Sequence, residues 1–150
     1  MTKIKEEIKQ TSFRNQYQEA AINIIYTSGW LANRHKDFFA QFGITAQQYN
    51  ILSILRGQMP NKISGSEIKS RMMDKNSDVS RLLDRLILKD LIVKRKCPDD
   101  KRAADIEIST EGLELLKAID AKTEGLDRIL SGVTENEAKQ LSALLDKVRG

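Results

Sequence analysis

The chain has 150 residues, of which 40% are hydrophobic and 31% charged, with a net charge of +4, two prolines, one cysteine and one histidine. That is enough for one domain with a real core, and the composition is that of a folded soluble protein rather than a disordered or fibrous one. A single Cys excludes an intramolecular disulfide and Cys-based metal ligation, no apolar run reaches the roughly 18 residues of a membrane span, and the opening MTKIKEEIKQ lacks the apolar core of a signal peptide, so a cytoplasmic protein without cofactor or metal is expected.

In the first forty residues, Ile22, Ile25, Tyr26, Leu31, Phe38 and Phe39 recur among polar residues without proline, which predicts one long helix to about Gln41, bent near Gly29. Thr45-x-x-Gln48 is a capping box for a second helix over about 46–57, which GQMPNKI then breaks. Ser64 with Glu67 makes a further box for a short helix through Ile68 and Met72, and the polar DKN turn leads to a helix from Ser77 to about Lys89. Two helices joined by a tight polar turn form a helix-turn-helix unit. In the second, Val79, Leu82, Leu83, Leu86 and Ile87 form the buried stripe, so Ser77, Arg81, Asp84 and Arg85 are expected on the opposite side. Asp90 sits where a helix closes in the left-handed conformation, which Asp tolerates.

Strands are expected at Ile92–Cys97 and Asp105–Ser109, the second alternating strictly, with a polar hairpin tip between them. One helix from near Thr110 through Leu130 and a last helix opened by the capping box Thr134-x-x-Glu137 complete the chain. Each carries a single apolar stripe, so the terminal helices should pack on each other and on a second subunit. The reading is of a mainly α chain with a small β-hairpin wing: a single domain over residues 1–150, with a reading lobe over about 45–110 and helical dimerisation arms over about 1–42 and 111–150.

Charge distribution agrees with that layout. Residues 60 to 104 hold 12 Lys and Arg against 7 Asp and Glu, a local +5 that leaves the rest of the chain at −1. A helix of this size fits the major groove of a duplex, and a cationic hairpin beside it reaches the neighbouring minor groove.

Two segments carry a resemblance. Ser80-Arg81-Leu82-Leu83-Asp84-Arg85-Leu86, followed by a hairpin with Asp100-Lys101-Arg102 and then Ile106-Glu107-Ile108-Ser109-Thr110-Glu111-Gly112, is similar to the recognition helix and wing of the MarR family of bacterial transcriptional regulators, and the likeness extends over about residues 20–149. Asp90 stands where that family usually has Gly, and acids stand at Asp105 and Glu107 in the second strand. The resemblance implies a homodimer that binds a pseudo-palindromic operator in double-stranded DNA. It further implies a transcriptional regulator, a repressor relieved by a small, often aromatic, effector.

On this reading Asn76, Ser77 and Ser80 face bases or phosphates at the N-terminal turn of the helix, helped by its dipole. Arg81 reaches a base edge or the backbone, and Arg85 either contacts DNA or pairs with Asp84 or another acid. Asp78 accepts from a cytosine amino group or faces away. Arg102 is the candidate minor-groove contact, Asp100 orients it, and Lys94, Arg95, Lys96 and Lys101 add sequence-independent attraction. Tyr26, Trp30, Phe38, Phe39 and Tyr49 either line an effector pocket or simply pack. The single His35 has no partner with which to ligate a metal, and Cys97 reads as a packed side chain or a thiol beside Lys96. A winged-helix module that binds protein instead of DNA is the alternative; it would call for an acidic or apolar outer face. No nucleophile–base–orienter set and no phosphate loop points to an enzyme.

Overall fold

The computed structural model describes residues 1–96 and 104–150. Its centre is a helix-turn-helix unit laid against a small antiparallel sheet. Helix α3 (Ala46–Gln58) leads through strand β1 (Ile63–Ser64) to α4 (Gly65–Arg71) and α5 (Val79–Leu88), and strands β2 (Ile92–Lys96) and β3 (Ala104–Ile108) follow. The strand order is β1-β3-β2, with Ile63 opposite Ile106 and β2 paired to β3 from Ile92 opposite Ile108 to Lys96 opposite Ala104. The mainly α fold with a small strand wing is therefore as expected; β1 was not, because two residues are too few to show an alternation.

Local chemistry sets the helix boundaries. The Thr45 side chain accepts from the Gln48 amide while Gln48 accepts from Thr45, the expected box at the start of α3. Ser64 caps α4 by accepting from the Glu67 amide, but the Glu67 carboxylate turns instead to Arg71, one turn on. Asp90 holds a φ of 58°, the left-handed conformation expected of it, and the chain then enters β2.

The core lies where α3, α4, α5, the sheet and α6 (Thr110–Asp120) meet. Ile51, Leu52, Ile68, Leu86, Ile106, Leu116 and Ile119 are almost wholly enclosed. Each such side chain contributes about 1.5–3 kcal/mol relative to exposure, so these few positions carry much of the lobe. Helix α6 is fastened to α3 at the rim by Arg56, whose guanidinium donates to both Asp120 oxygens at 2.6 and 3.3 Å. That carboxylate holds Arg56 above its ordinary pKa.

Three expectations for the arms need correction. The first forty residues form two helices, α1 (Ile4–Glu7) and α2 (Gln16–Ala40), because Lys9 turns left-handed at φ 54° and Asn15 caps α2 by accepting from the Gln18 amide. Helix α2 runs through Gly29 without interruption. Past α6 the chain makes a separate short helix, α7 (Glu124–Ile129), in place of one continuous helix. Turn residues 121–123 redirect it so that Gly125 meets the Phe38 ring, where an added Cβ would lie 2.9 Å from Cε2. Lastly, α8 (Glu135–Arg149), which opens with the expected Thr134–Glu137 box, buries none of its residues within the chain. Its stripe of Leu141, Leu144 and Val148 is 47%, 60% and 71% exposed, and the two chain ends pack on each other chiefly through α2 against α7.

Gly112 marks the tightest contact between sheet and arm. A Cβ there would meet the Leu91 carbonyl oxygen at 2.3 Å and Ile108 Cγ1 at 2.6 Å. Gly112→Ala is expected to lower the unfolding free energy by about 2–4 kcal/mol through overpacking against backbone. Gly132→Ala, where nothing lies within 4 Å, should leave it nearly unchanged; urea unfolding of the two variants checks the difference.

Candidate nucleic-acid interface

Burial of one face of α5 dictates what the other can present. Val79, Leu82, Leu83 and Leu86 are buried, with Ile87 at the margin, so Ser80, Arg81, Asp84 and Arg85 stand outward together. The helix starts two residues later than its sequence suggests. Asp78 is the cap, its carboxylate accepting from the Arg81 amide at 3.2 Å, and the choice between Ser77 and Asp78 is not visible in the string Ser-Asp-Val-Ser.

Ser77 is consequently displaced inward. It is only 4% exposed, against the expectation that it projects with Arg81, and its hydroxyl lies 3.4 Å from Gln47 Nε2, which also reaches Asp74 at 3.4 Å. The Asp74 carboxylate accepts from the Asn76 amide at 2.9 Å, and Asn50 of α3 accepts from the Met73 amide at 2.9 Å. The turn between α4 and α5 is thus tied to α3 on both sides, which fixes the angle of α5. Gln47 and Asn50 were missed because a turn anchor looks like any polar residue on a helix surface.

A cleft of about 870 Å³ opens where the starts of α4 and α5 face the sheet. Asn76 and Ser80 line it, as do the carboxylates of Asp78 and Asp84 and the ammonium groups of Lys69 and Lys94. Its floor is close to electroneutral. Cationic excess lies beyond that lining, where Arg85 has no ion pair among the described residues and Lys96 stands exposed on β2.

Not every expected cation is free. Arg95 pairs diagonally across the hairpin with Glu107 at 3.2 Å, so a neighbouring acid offsets its charge. Arg81 faces the carboxylate of its own cap, Asp78, at 3.7 Å. Cys97, Asp100, Lys101 and Arg102, the expected wing tip, lie outside the described residues.

Of the five aromatic residues expected around a pocket, three pack on one another and two lie on the outside of α2. Phe39 stacks on Tyr49 at 4.4 Å between centroids and meets Phe38 edge-on at 5.0 Å, a packed cluster at the edge of the core, with His35 edge-on to Phe39 at 6.2 Å. Tyr26 and Trp30 lie on the exposed side of α2, and the Tyr26 hydroxyl donates to Glu7 of α1 at 2.8 Å. A second cleft, of about 520 Å³, instead lies between the α2–α3 turn and the end of α5. Ile44 and Leu88 supply apolar walls, Gln48, Arg85 and Lys89 supply donors, and Lys89 also donates to the Gly43 carbonyl. Among the described residues no group of His, Cys, Asp and Glu could hold a metal ion, and no helix is long and apolar enough to cross a membrane.

The model of the MarR family matches residues 44–104, the segment from the start of α3 to the start of β3. The HTH-type transcriptional regulator PecS of Dickeya dadantii is 31% identical over 112 residues, covering 73% of this chain and 68% of that protein. The HTH-type transcriptional repressor MdtR of Bacillus subtilis is likewise 31% identical over 107 residues, covering 71% of this chain and 68% of the relative. Among solved structures, Staphylococcus aureus MepR in its DNA complex superposes with a TM-score of 0.73 at 25% identity, over 91% of this chain and 97% of that one. The chain belongs to the MarR family, and is a transcriptional regulator and not an enzyme.

Proposed function

We propose that the protein acts in the cytoplasm as a homodimer that binds a pseudo-palindromic operator in double-stranded DNA. Helix α5 lies in the major groove and the hairpin beyond β2 reaches the adjacent minor groove. The observation that carries this reading is the division of α5: its apolar stripe is wholly occupied by the core, leaving Ser80, Arg81 and Arg85 outward beside the exposed lysines of β2. A protein-binding winged helix would want an apolar or acidic outer face there, and the cationic rim speaks against it. That MepR was solved bound to DNA in the same fold supports the docking.

Dimerisation is supported by the bare stripe of α8 and by Ile24, Ile25 and Trp30 of α2, apolar side chains left 41%, 73% and 37% exposed among the described residues. On this reading about 1–42 and 111–150 are arms, and about 45–110 the reading lobe, with Arg102 and Lys101 at the wing and Asp100 orienting Arg102. Repression is supported by the description of MdtR as a repressor. Relief by a small aromatic effector is supported by the cleft of about 520 Å³, whose donors Arg85 and Lys89 suit a carboxylate and whose walls suit a ring.

Duplexes selected from genomic fragments should show two half-sites about one helical turn apart. Arg85→Ala should weaken binding of every duplex alike and lower the salt slope by about one unit, as measured by fluorescence anisotropy across a salt series. Binding of no duplex at low salt by the wild-type chain would sink the proposal.

Leu144→Glu should convert the dimer to monomer in sedimentation velocity while leaving the reading lobe folded, since Leu144 is 60% exposed in one copy. Operator affinity should then drop by at least about a hundredfold, because two half-sites no longer engage together. An unchanged sedimentation coefficient would remove α8 from the interface.

A further inference from the structure

We infer that Arg81 reads a base edge, that of a guanine in the major groove, and that Asp78 is the positioning residue that makes it a base reader in place of a phosphate contact. This rests on the DNA-binding reading above.

The geometry concerns one carboxylate and two groups of one residue. Asp78 Oδ1 accepts from the Arg81 backbone amide at 3.2 Å, and Asp78 Oδ2 faces Arg81 Nε at 3.7 Å. The same acid therefore fixes the start of α5 and biases the direction of the guanidinium it carries. Because it engages the Nε side, the terminal Nη1–Nη2 edge remains open, and that edge is the fork whose spacing matches O6 and N7 of guanine.

Charge decides between base and phosphate. A phosphate contact draws its strength from uncompensated positive charge and the counterions it releases. Arg81 has its charge offset by the adjacent Asp78, and Asp78 itself lines the cleft at the start of α5, where a phosphate would meet its repulsion. Base edges on the groove floor carry partial charges in directed donors and acceptors, so a guanidinium with an oriented fork and a cancelled monopole keeps its value there and loses it at the backbone. Arg85, one turn on, has no carboxylate partner among the described residues and keeps its full charge. The two arginines of one helix face thus divide the work: Arg81 discriminates, Arg85 attracts.

Held at 71% and 63% side-chain exposure, the pair contributes little to folding, so its removal can be read in binding. Asp78→Asn keeps a side-chain oxygen for the cap and removes the charge. Asp78→Ser keeps a strong cap by other chemistry. Arg81→Lys keeps the charge and removes the fork.

The experiment uses full-length protein and a duplex selected by the wild type from a randomised pool. Each guanine of the half-site is replaced in turn by adenine, and an unrelated duplex serves as reference. Anisotropy across a salt series gives affinity and slope, and thermal unfolding reports the fold. The wild type should discriminate by about 10–100-fold at one guanine per half-site, and Arg81→Lys should abolish that discrimination. Both Asp78 variants, melting close to the wild type, should bind the unrelated duplex several-fold more tightly, with a salt slope steeper by about one unit and a discrimination reduced to a third or less.

Wild-type behaviour of both Asp78 variants on every duplex would make Asp78 a cap and nothing more. Retained guanine discrimination in Arg81→Lys would return Arg81 to the backbone. Either result overturns this inference while leaving the regulator reading intact, whereas a wild-type chain that binds no duplex overturns both.

Discussion

The enclosure of one side of α5 is the constraint on which everything else turns. Four apolar side chains of a ten-residue helix, Val79, Leu82, Leu83 and Leu86, are inserted into the core. Together their burial is worth on the order of 6–12 kcal/mol relative to exposure, comparable with the whole net stability of an ordinary domain. The helix therefore has no freedom to roll. Every outward residue, including both arginines, is placed by what the inward residues do, and the hydrogen bonds that tie the preceding turn to Gln47 and Asn50 set the remaining angle. A surface that reads a groove must be rigid to discriminate, and here rigidity comes from packing behind it.

The sheet extends the same logic. Strand β3 lies between β1 and β2, so its alternate residues Ile106 and Ile108 are pinned into the core while the other side of the hairpin faces outward. That other side is mixed in sign, with Arg95 engaged by Glu107 and paired in register with Asp105, whereas Lys94 and Lys96 alternate onto the side of Ile106, where Lys94 lines the cleft. Acids among cations cost affinity, yet they confine attraction to a few rim positions. An arginine with a fixed carboxylate neighbour is a directed donor more than a charge, and a lysine without one is the reverse. The face is thus sorted into contacts that can carry sequence information and contacts that only hold on.

How much of this was readable from the chain depended on the range of the interaction. The boxes at Thr45 and Thr134, the stripe of α5, the left-handed Asp90 and the alternation of β3 are all decided within a few residues, and the sequence showed them. Strand β1 was not visible because its two residues are strands only by virtue of β3, some forty positions away. The split between α6 and α7 escaped because the apolar period continues across it, and the ring that Gly125 meets beyond the turn is that of Phe38, close in space but far away in the chain. Ser77 was misplaced outward because two adjacent residues could each cap the helix, and the choice of Asp78 moved the start by two positions. The aromatic residues of the arm were recognisable as a set, but whether they line a space or fill one is a property of packing that no spacing encodes.

Reading lobe and arms share one core, through α6 and the Phe39–Tyr49 stack, and two polar contacts sit at its rim, which bears on how the protein could be switched. The bidentate fork from Arg56 to Asp120 fixes α6 on α3, and Lys89 at the end of α5 donates to the Gly43 carbonyl in the turn that follows α2. In the proposed dimer the arms set the separation of the two copies of α5, and a duplex accepts that separation only near one helical turn. A small rotation at either junction would be multiplied by the length of the lobe before it reaches the groove. The cleft beside Lys89 lies at one of these junctions and holds Arg85, a cation proposed for the backbone. A carboxylate bound there would draw on the same guanidinium that attracts phosphate, so effector and duplex would compete for charge even without a change of shape, and by linkage each would weaken the other to the same degree.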